Sequence, residues 1–276
     1  MLHKQFSNRV VITIALSSVL LACANTTRSG AVGINRSQFM MISSSEVDRL
    51  SAISYNEQNQ KAREKHILLT SGPAYDRLKT ISNRLIQQTI VFRDDTRQWD
   101  WQVVLINAPI LNATCAPGGK ITFYTGLIDQ LNLTDDEIAA IMGHEIAHAL
   151  REHGRERLSQ AMAQNLLTNI AAASGYGSSA SAANQVAQYV LVLPNSRQNE
   201  SEADAIGLEL AARAGYNPQA AISVWKKMIK ATEGKTSPEF LSTHPSGQTR
   251  IEQLTALMPE VEPLYQAAQK PKSRAQ

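Results

Sequence analysis

The spacing of apolar and polar positions predicts helices on both sides of a short central region of strands. From residue 46 to about residue 88, apolar residues recur every three or four positions, and Gly72-Pro73 divides this stretch into two helices. Residues 99–106 (WDWQVVLI) and 120–124 (KITFY) have the apolar, β-branched character of strands. Residues 110–116, which lie between them, fit either a short edge strand or a loop.

The rest of the chain is predicted to be helical. A capping-box pattern at Thr134 begins a helix that we expect to continue to about residue 158 or beyond. Three more helices are predicted: one over residues 199–213, one that Pro218 opens, and one over residues 246–258. Residues 171–183 are rich in Gly, Ser and Ala, which favours a flexible loop or a loosely packed helical hairpin. Central strands flanked by helices predict an α+β fold, mostly helical with a small central β-sheet.

The N-terminus has the pattern of a targeting signal. A positively charged start precedes a largely apolar run over residues 10–21, which is too short to cross a bilayer because crossing needs about 20 apolar residues. The run ends in Leu20-Leu21-Ala22-Cys23, which resembles a bacterial lipobox; an ordinary signal peptide with an incidental cysteine is the alternative. We therefore expect residues 1–22 to be a lipoprotein signal peptide and the lipidated Cys23 to anchor the mature protein to a membrane.

Composition limits the remaining organisation. Residues 23–45 are rich in small polar residues and are expected to form a tether, followed by one domain over residues 46–265 and a tail over residues 266–276. The formal net charge of +3 argues against a nucleic-acid partner, because nucleic-acid binders usually carry a strong basic patch. Once Cys23 carries a lipid, Cys115 has no partner in the chain and is expected to be a buried free thiol.

The sharpest chemical feature is the sequence His144-Glu145-Ile146-Ala147-His148. Residues four positions apart lie on one face of a helix, about 6 Å apart along its axis. Both imidazoles can therefore bind a single Zn²⁺. Glu145 can act as general base on a water that the zinc activates. A charged helix face without a metal is the alternative.

A catalytic zinc needs a third protein ligand and an open position. His153 is one candidate, but its spacing from His148 does not fit the long histidine motif, so we expect it on a helix face. Glu200 and Asp204 are better placed, because they are again four positions apart on a predicted helix. Glu200 is predicted to bind the zinc, and Asp204 to accept the outer N–H of a ligand histidine. Glu202 is expected to face away from Glu200.

Together these motifs resemble a known family. HEIAHAL at residues 144–150 and SRQNESEADAIG at residues 196–207 are similar to the gluzincin zinc metallopeptidases of the HtpX and CAAX-prenyl endopeptidase type. The lipobox favours the periplasmic lipoprotein branch of that family. The resemblance implies a zincin-type metallopeptidase domain and one Zn²⁺ per chain, with Glu145 as base. The ligands that it implies are His144, His148 and Glu200.

The resemblance also concerns substrate binding. It implies that Asn112 and Ala113 belong to an edge strand beside the active site, although Thr114-Cys115-Ala116 departs from the bulkier apolar residues usual there. His244, followed by Pro245 and later by Arg250, resembles the family's C-terminal His-Pro element. Three roles for His244 stay open: a packing residue, a hydrogen-bond donor to the oxyanion, or a fourth zinc ligand that keeps the enzyme closed. We favour the fourth ligand. Arg250 is expected to hold the loop of His244 or to stabilise the oxyanion.

Two functions follow from these features. The first is a zinc endopeptidase of the bacterial envelope that degrades misfolded or stalled envelope and outer-membrane proteins. The second is a chaperone-like envelope assembly factor with a mostly latent zinc site. An intact Glu145 favours the first. Ala24 and Asn25 after Cys23 provide no aspartate retention signal, which by analogy favours lipid anchoring at the periplasmic face of the outer membrane.

Overall fold

The computed structural model describes residues 23–168, 184–232, 239–244 and 248–270. The predicted signal peptide over residues 1–22 and the predicted loop over residues 171–183 lie outside these ranges. Within them, we find no helix whose length and apolar character would allow it to cross a bilayer.

Helices dominate the described residues and surround a small mixed sheet, which confirms the predicted α+β class. In chain order the strands are β1 (Cys23–Ala24), β2 (Gln38–Phe39), β3 (Leu68–Leu69), β4 (Gln102–Ile106), β5 (Ala113–Ala116) and β6 (Lys120–Tyr124). The α-helices are α1 (Ser44–Glu64), α2 (Pro73–Ile86), α3 (Thr125–Gln130), α4 (Asp135–Leu150), α5 (His153–Thr168), α6 (Arg197–Arg213), α7 (Gln219–Thr232), α8 (Glu239–Thr243) and α9 (Gln248–Gln269). Short 3₁₀ turns occur at Thr89–Val91 and Asp94–Gln98, and a π-helical turn at Gln188–Val192.

The main sheet has the strand order β3-β4-β6-β5. Strands β4 and β6 are parallel, while β3 and β5 are antiparallel to their neighbours. The stretch that fitted either a loop or an edge strand contains β5, which lies at the edge of the sheet with Cys115 opposite Ile121. Strand β3 was not predicted, because two residues are too few to show a period.

Helix α4 lies at the centre of the molecule and packs against α2, α6, α7 and β5. Its capping box is present, with Thr134 accepting from the backbone of Glu137 and the Glu137 carboxylate accepting from the backbone of Thr134. The approach to α6 is closest at two glycines: a Cβ on Gly207 would lie 2.6 Å from the backbone nitrogen of His144, and a Cβ on Gly143 would lie 2.7 Å from the carbonyl oxygen of Gly207. This contact brings the motif helix and the Glu200 helix together.

The single long helix predicted from Thr134 to about residue 158 is wrong. Helix α4 ends at Leu150, and α5 begins at His153 in a new direction, because Glu152 adopts a left-handed backbone with φ of 50°. The Glu152 carboxylate is held there by Arg93 and Arg155. Arg93 lies 59 positions before Glu152, so a local helical pattern does not contain this contact.

Residues 23–45 were expected to form a tether, but they pack against the domain. Strands β1 and β2 pair with each other, and Gln38 is 1% exposed. Arg36 forms ion pairs with Glu156 on α5 and Glu202 on α6. A polar composition suggested a solvated segment, whereas these polar side chains are satisfied by the domain.

The C-terminal helix continues beyond the predicted domain end at residue 265. Helix α9 reaches Gln269 and includes Pro259 and Pro263. Proline usually ends a helix, because it lacks the backbone N–H and its ring clashes with the preceding turn. Buried Met258 and Val261 hold this part of α9 on the core. Burial therefore outweighs the local preference.

Candidate metal centre

Four potential metal donors meet in the interior. Helix α4 supplies His144 and His148, α6 supplies Glu200, and His244 follows α8. One donor atom from each residue lies within 4.8 Å of the others, and all four residues are buried. His144 Nε2 lies 3.0 Å from His148 Nε2 and 3.2 Å from His244 Nδ1, and Glu200 Oε1 lies 3.3 Å from His148 Nε2.

The first turn of α6 places Glu200. Ser196 caps this helix by accepting a hydrogen bond from the backbone N–H of Asn199, at 3.1 Å. The helix therefore begins one turn before the carboxylate, and Glu200 points at the two histidines of α4. Sequence reasoning predicted these three residues as a set, and the structure brings them together.

Glu145 lies beside the donors and not among them. It is 3% exposed and lines a cavity together with His148, His244 and the β5 residues Thr114 and Cys115. Its Oε1 lies 3.3 Å from His244 Nε2. Burial raises the pKa of the Glu145 carboxyl. A carboxyl whose pKa is raised is a stronger base, as a group that takes and returns a proton must be.

Asp204 and Arg250 support the donors from behind. Asp204 Oδ1 lies 3.0 Å from Nδ1 of His144, on the side of the ring away from the other donors. The guanidinium of Arg250 donates to both Asp204 oxygens, at 2.6 and 2.7 Å, and to Glu200 Oε2 at 2.6 Å. It also stacks on Trp225, at 3.7 Å from the ring centre. These contacts give Arg250 a role that was not predicted, because they hold Asp204 and Glu200 together.

The charges of the site favour a cation. Burial alone would raise the pKa of Glu200, but the neighbouring histidines lower it well below its ordinary value. Burial opposes ionisation of Asp204 as well, but Arg250 and His144 together lower the Asp204 pKa. Burial would lower the pKa of His144, yet Asp204 and Glu200 raise it to about 9. Burial lowers the pKa of His148 well below its ordinary range, which leaves a neutral ring able to bind a metal.

The donor set fits a metal ion of the zinc type. Two or three imidazole nitrogens and one carboxylate are the ligands that Zn²⁺ takes in tetrahedral sites. The contact of His144 Nδ1 with the Asp204 carboxylate is the usual support of a ligand histidine. The sequence prediction of a metal site at this position therefore agrees with the arrangement of the side chains.

Two residues outside the predicted ligand set, His153 and Glu202, are buried near the site. His153, expected on a helix face, is fully buried, and its Nδ1 lies 2.8 Å from Nδ1 of His148. Glu202, expected to face away, is buried, and its Oε2 lies 3.2 Å from Nε2 of His153. The break before α5 turns His153 back toward His148. Glu202 does point away from Glu200, but toward α5 instead of solvent.

The predicted substrate strand lies next to Glu145. Ala113 begins β5 and is completely buried, and the side chain of Asn112 accepts a hydrogen bond from the Ala113 N–H at 2.9 Å. Cys115 is a buried free thiol, and burial raises its pKa well above the ordinary value. Cys23, at the other end of the described chain, is an exposed free thiol.

A helix that carries His-Glu-x-x-His, a glutamate from a second helix and a sheet edge beside them define a zincin-type metallopeptidase domain. The chain belongs to peptidase family M48, whose family model matches residues 74–258.

Curated relatives agree with this placement. The chain is 38% identical over 175 residues to the mitochondrial metalloendopeptidase OMA1 of Arabidopsis thaliana; the matched region covers 61% of this chain and 34% of the relative. It is 26% identical over 250 residues to the metalloprotease LoiP of Escherichia coli, and this match covers 89% of this chain and 94% of the relative. It is also 28% identical over 158 residues to the beta-barrel assembly-enhancing protease of E. coli, covering 53% of this chain and 32% of the relative. The chain thus spans about a third of the Arabidopsis protein.

Proposed function

We propose that the protein is a zinc-dependent endopeptidase that acts on misfolded or stalled proteins of the bacterial envelope. The observation that carries this proposal is the juxtaposition of Glu145 with the buried donors His144, His148 and Glu200, beside the edge of a β-sheet. The similarity to the metalloprotease LoiP over 94% of that relative supports a bacterial metalloprotease, and the lipobox-like sequence before Cys23 supports the envelope. The name of the beta-barrel assembly-enhancing protease supports β-barrel proteins as clients.

Zn²⁺ bound by His144, His148 and Glu200 would supply a Lewis acid that polarises a substrate carbonyl and lowers the pKa of water toward about 7. Glu145 then accepts the proton of the attacking water and returns it to the leaving amine. Its burial suits this task, because burial raises the pKa of the Glu145 carboxyl and so makes it a stronger base than an exposed glutamate. Asp204 fixes the ring of His144 by accepting from Nδ1, and Arg250 fixes Asp204.

An extended substrate would pair with β5. Among the described residues β5 pairs with a strand, β6, on one side only, and a peptide would form main-chain hydrogen bonds with its other edge. Thr114 and Cys115 line the same cavity as Glu145, so a peptide along β5 would pass the catalytic carboxyl. Recognition through the backbone requires an unfolded segment, which fits misfolded clients better than folded ones.

His244 supports a resting state that is closed. Its Nδ1 lies 3.0 Å from Glu200 Oε1 and 3.2 Å from His144 Nε2. A hydrolytic metal keeps one position for water, and His244 as a fourth ligand would occupy it. We therefore assign His244 as a fourth ligand of the resting site that substrate displaces. The same geometry favours the second function, a chaperone-like assembly factor whose site stays latent.

Anchoring and location are part of the proposal. Lipidation of Cys23, which is exposed at the start of the described chain, would hold the domain at the periplasmic face of the outer membrane. The partners are then the membrane, through the lipid, and unfolded envelope proteins as substrates.

The test is cleavage of an unfolded outer-membrane protein by the zinc-loaded wild type and by Glu145→Gln, with zinc content measured on both samples. The proposal expects wild-type cleavage and a loss of several orders of magnitude in Glu145→Gln with zinc retained. Prevention of client aggregation at equal strength by both proteins, without cleavage by either, would favour the assembly factor instead.

A further inference from the structure

The N-terminal segment is fastened to the helices that carry the metal donors. We call residues 25–39 the N-terminal strap. Arg36 on the strap donates to both Glu156 oxygens on α5, at 2.5 and 2.8 Å, and to Asn199 on α6 at 3.1 Å. Its Nε also donates to Glu202. Glu156 and Glu202 are 3% and 4% exposed, so these ion pairs are buried at their acidic ends.

A second arginine joins the strap to the same carboxylate. Arg151, at the end of α4, is completely buried and donates to Glu202 Oε2 at 2.9 Å. Its Nη2 donates to the carbonyl of Arg36 at 2.9 Å, and its Nη1 donates to the side chains of Asn25 and Thr27. The strap therefore holds Glu202 directly through Arg36, and indirectly by holding Arg151.

Glu202 is the far end of a chain of contacts that reaches a metal donor. Glu202 Oε2 lies 3.2 Å from His153 Nε2, and His153 Nδ1 lies 2.8 Å from His148 Nδ1. One proton arrangement satisfies both contacts and leaves Nε2 of His148 as an acceptor for a metal. In it, His148 donates from Nδ1 to His153, and His153 donates from Nε2 to the Glu202 carboxylate. Such outer contacts orient a ligand histidine and raise its basicity.

We propose that Arg36 is a positioning residue of the metal centre, acting on His148 through Glu202 and His153. The inference rests on the metal site of the proposed function, and adds that Arg36 of the strap is a working part of that site. Without Arg36, a buried Glu202 loses one of its cationic partners and the geometry that keeps it against His153. His148 would then lose a fixed ring orientation, while its own donor atom remained.

The test is zinc affinity, measured by chelator competition on the full mature chain. Arg36→Gln is expected to bind zinc about 10- to 100-fold more weakly, the usual cost of an outer-shell change. Arg28→Gln is the matched control. Arg28 lies on the same strap, but it pairs with Asp94 and its side chain is 52% exposed, so its loss should leave zinc affinity unchanged. Unfolding of the metal-free proteins is measured in parallel, to separate lost folding from lost affinity.

His153→Gln provides a second route to the same answer and tests the direction of the coupling. His153→Gln should weaken zinc binding by a similar factor. The double variant Arg36→Gln/His153→Gln should bind zinc no more weakly than His153→Gln alone, because both changes interrupt the same chain of contacts. If Arg36→Gln does not fold, unchanged affinity in His153→Gln would overturn the inference. Unchanged affinity in folded Arg36→Gln, or additive losses in the double variant, would also overturn it. A wild type without zinc would refute the proposed function as well.

Discussion

The contact between the two donor helices offers a sharp test, because only glycine fits there. A Cβ on Gly207 would lie 2.6 Å from the nitrogen of His144, and 2.8 Å from both its Cα and the carbonyl carbon of Gly143. Ordinary contact begins at 3.4 Å, so in Gly207→Ala the two helices must separate locally by about 0.8 Å. The obstacle is backbone and not a flexible side chain, so rotamer changes cannot relieve it.

The expected cost has two parts. Overpacking of this kind destabilises by about 1–3 kcal/mol, partly offset by the roughly 1 kcal/mol that alanine gains over glycine in a helix. The larger effect is on the site, because a shift of about 1 Å in positioned groups can reduce activity about 100-fold. Zinc affinity and turnover of an unfolded substrate, measured beside denaturant unfolding, would report both parts.

Gly126→Ala is the matched control for this prediction. A Cβ on Gly126 would lie 2.5 Å from the carbonyl carbon of Pro109, which is an equally severe backbone contact, but on α3 and away from the donor helices. We expect Gly126→Ala to lose stability and keep its zinc affinity. If Gly207→Ala retained both zinc affinity and turnover, the reasoning that this helix contact positions the donors would be refuted.

Three further predictions concern single side chains. His244→Ala should raise basal cleavage and retain zinc, whereas a drop of about 100-fold or more would indicate a donor to the oxyanion instead. Burial and the nearby Glu152 raise the pKa of Asp48 to about 6, so the folded state holds this proton more tightly than the unfolded state. The free energy of unfolding should therefore fall by about 1 kcal/mol, after solvent screening, as the pH rises from about 4 to about 6. Asp48→Asn should lack this fall, and parallel curves of unfolding free energy against pH for the two proteins would contradict the assignment. Cys115, whose thiol is buried with a raised pKa, should react with an alkylating reagent only on unfolding, and rapid labelling of the native protein would count against its placement.

The chemistry of the donor helices was predictable from the sequence because it follows from fixed helical spacing. His144 and His148 share a face whatever surrounds them, and Glu200 and Asp204 repeat that spacing. Strand β6 was predicted at its observed bounds, because Pro117-Gly118-Gly119 marks its beginning.

The parts that could not be predicted depend on contacts between distant residues. The left-handed Glu152 separates α4 from α5, and Arg93, 59 positions away, holds its carboxylate. After that break His153 lies behind His148. The position of His153 just after His144 and His148 was a signal that it lies near the metal site. The direction of its side chain could not be predicted without the turn at Glu152. The strap was predicted as a tether, because composition does not show that Arg36 pairs with residues more than a hundred positions away.

The central claim is that these buried donors form a metal centre served by a separate base. Its most direct test is zinc content per chain in the purified wild type, His148→Ala and Glu145→Gln, each confirmed as folded. We predict one zinc per chain in the wild type and in Glu145→Gln, and none in His148→Ala. Zinc retained by His148→Ala, or lost from Glu145→Gln as completely as from His148→Ala, would contradict the division into ligands and base.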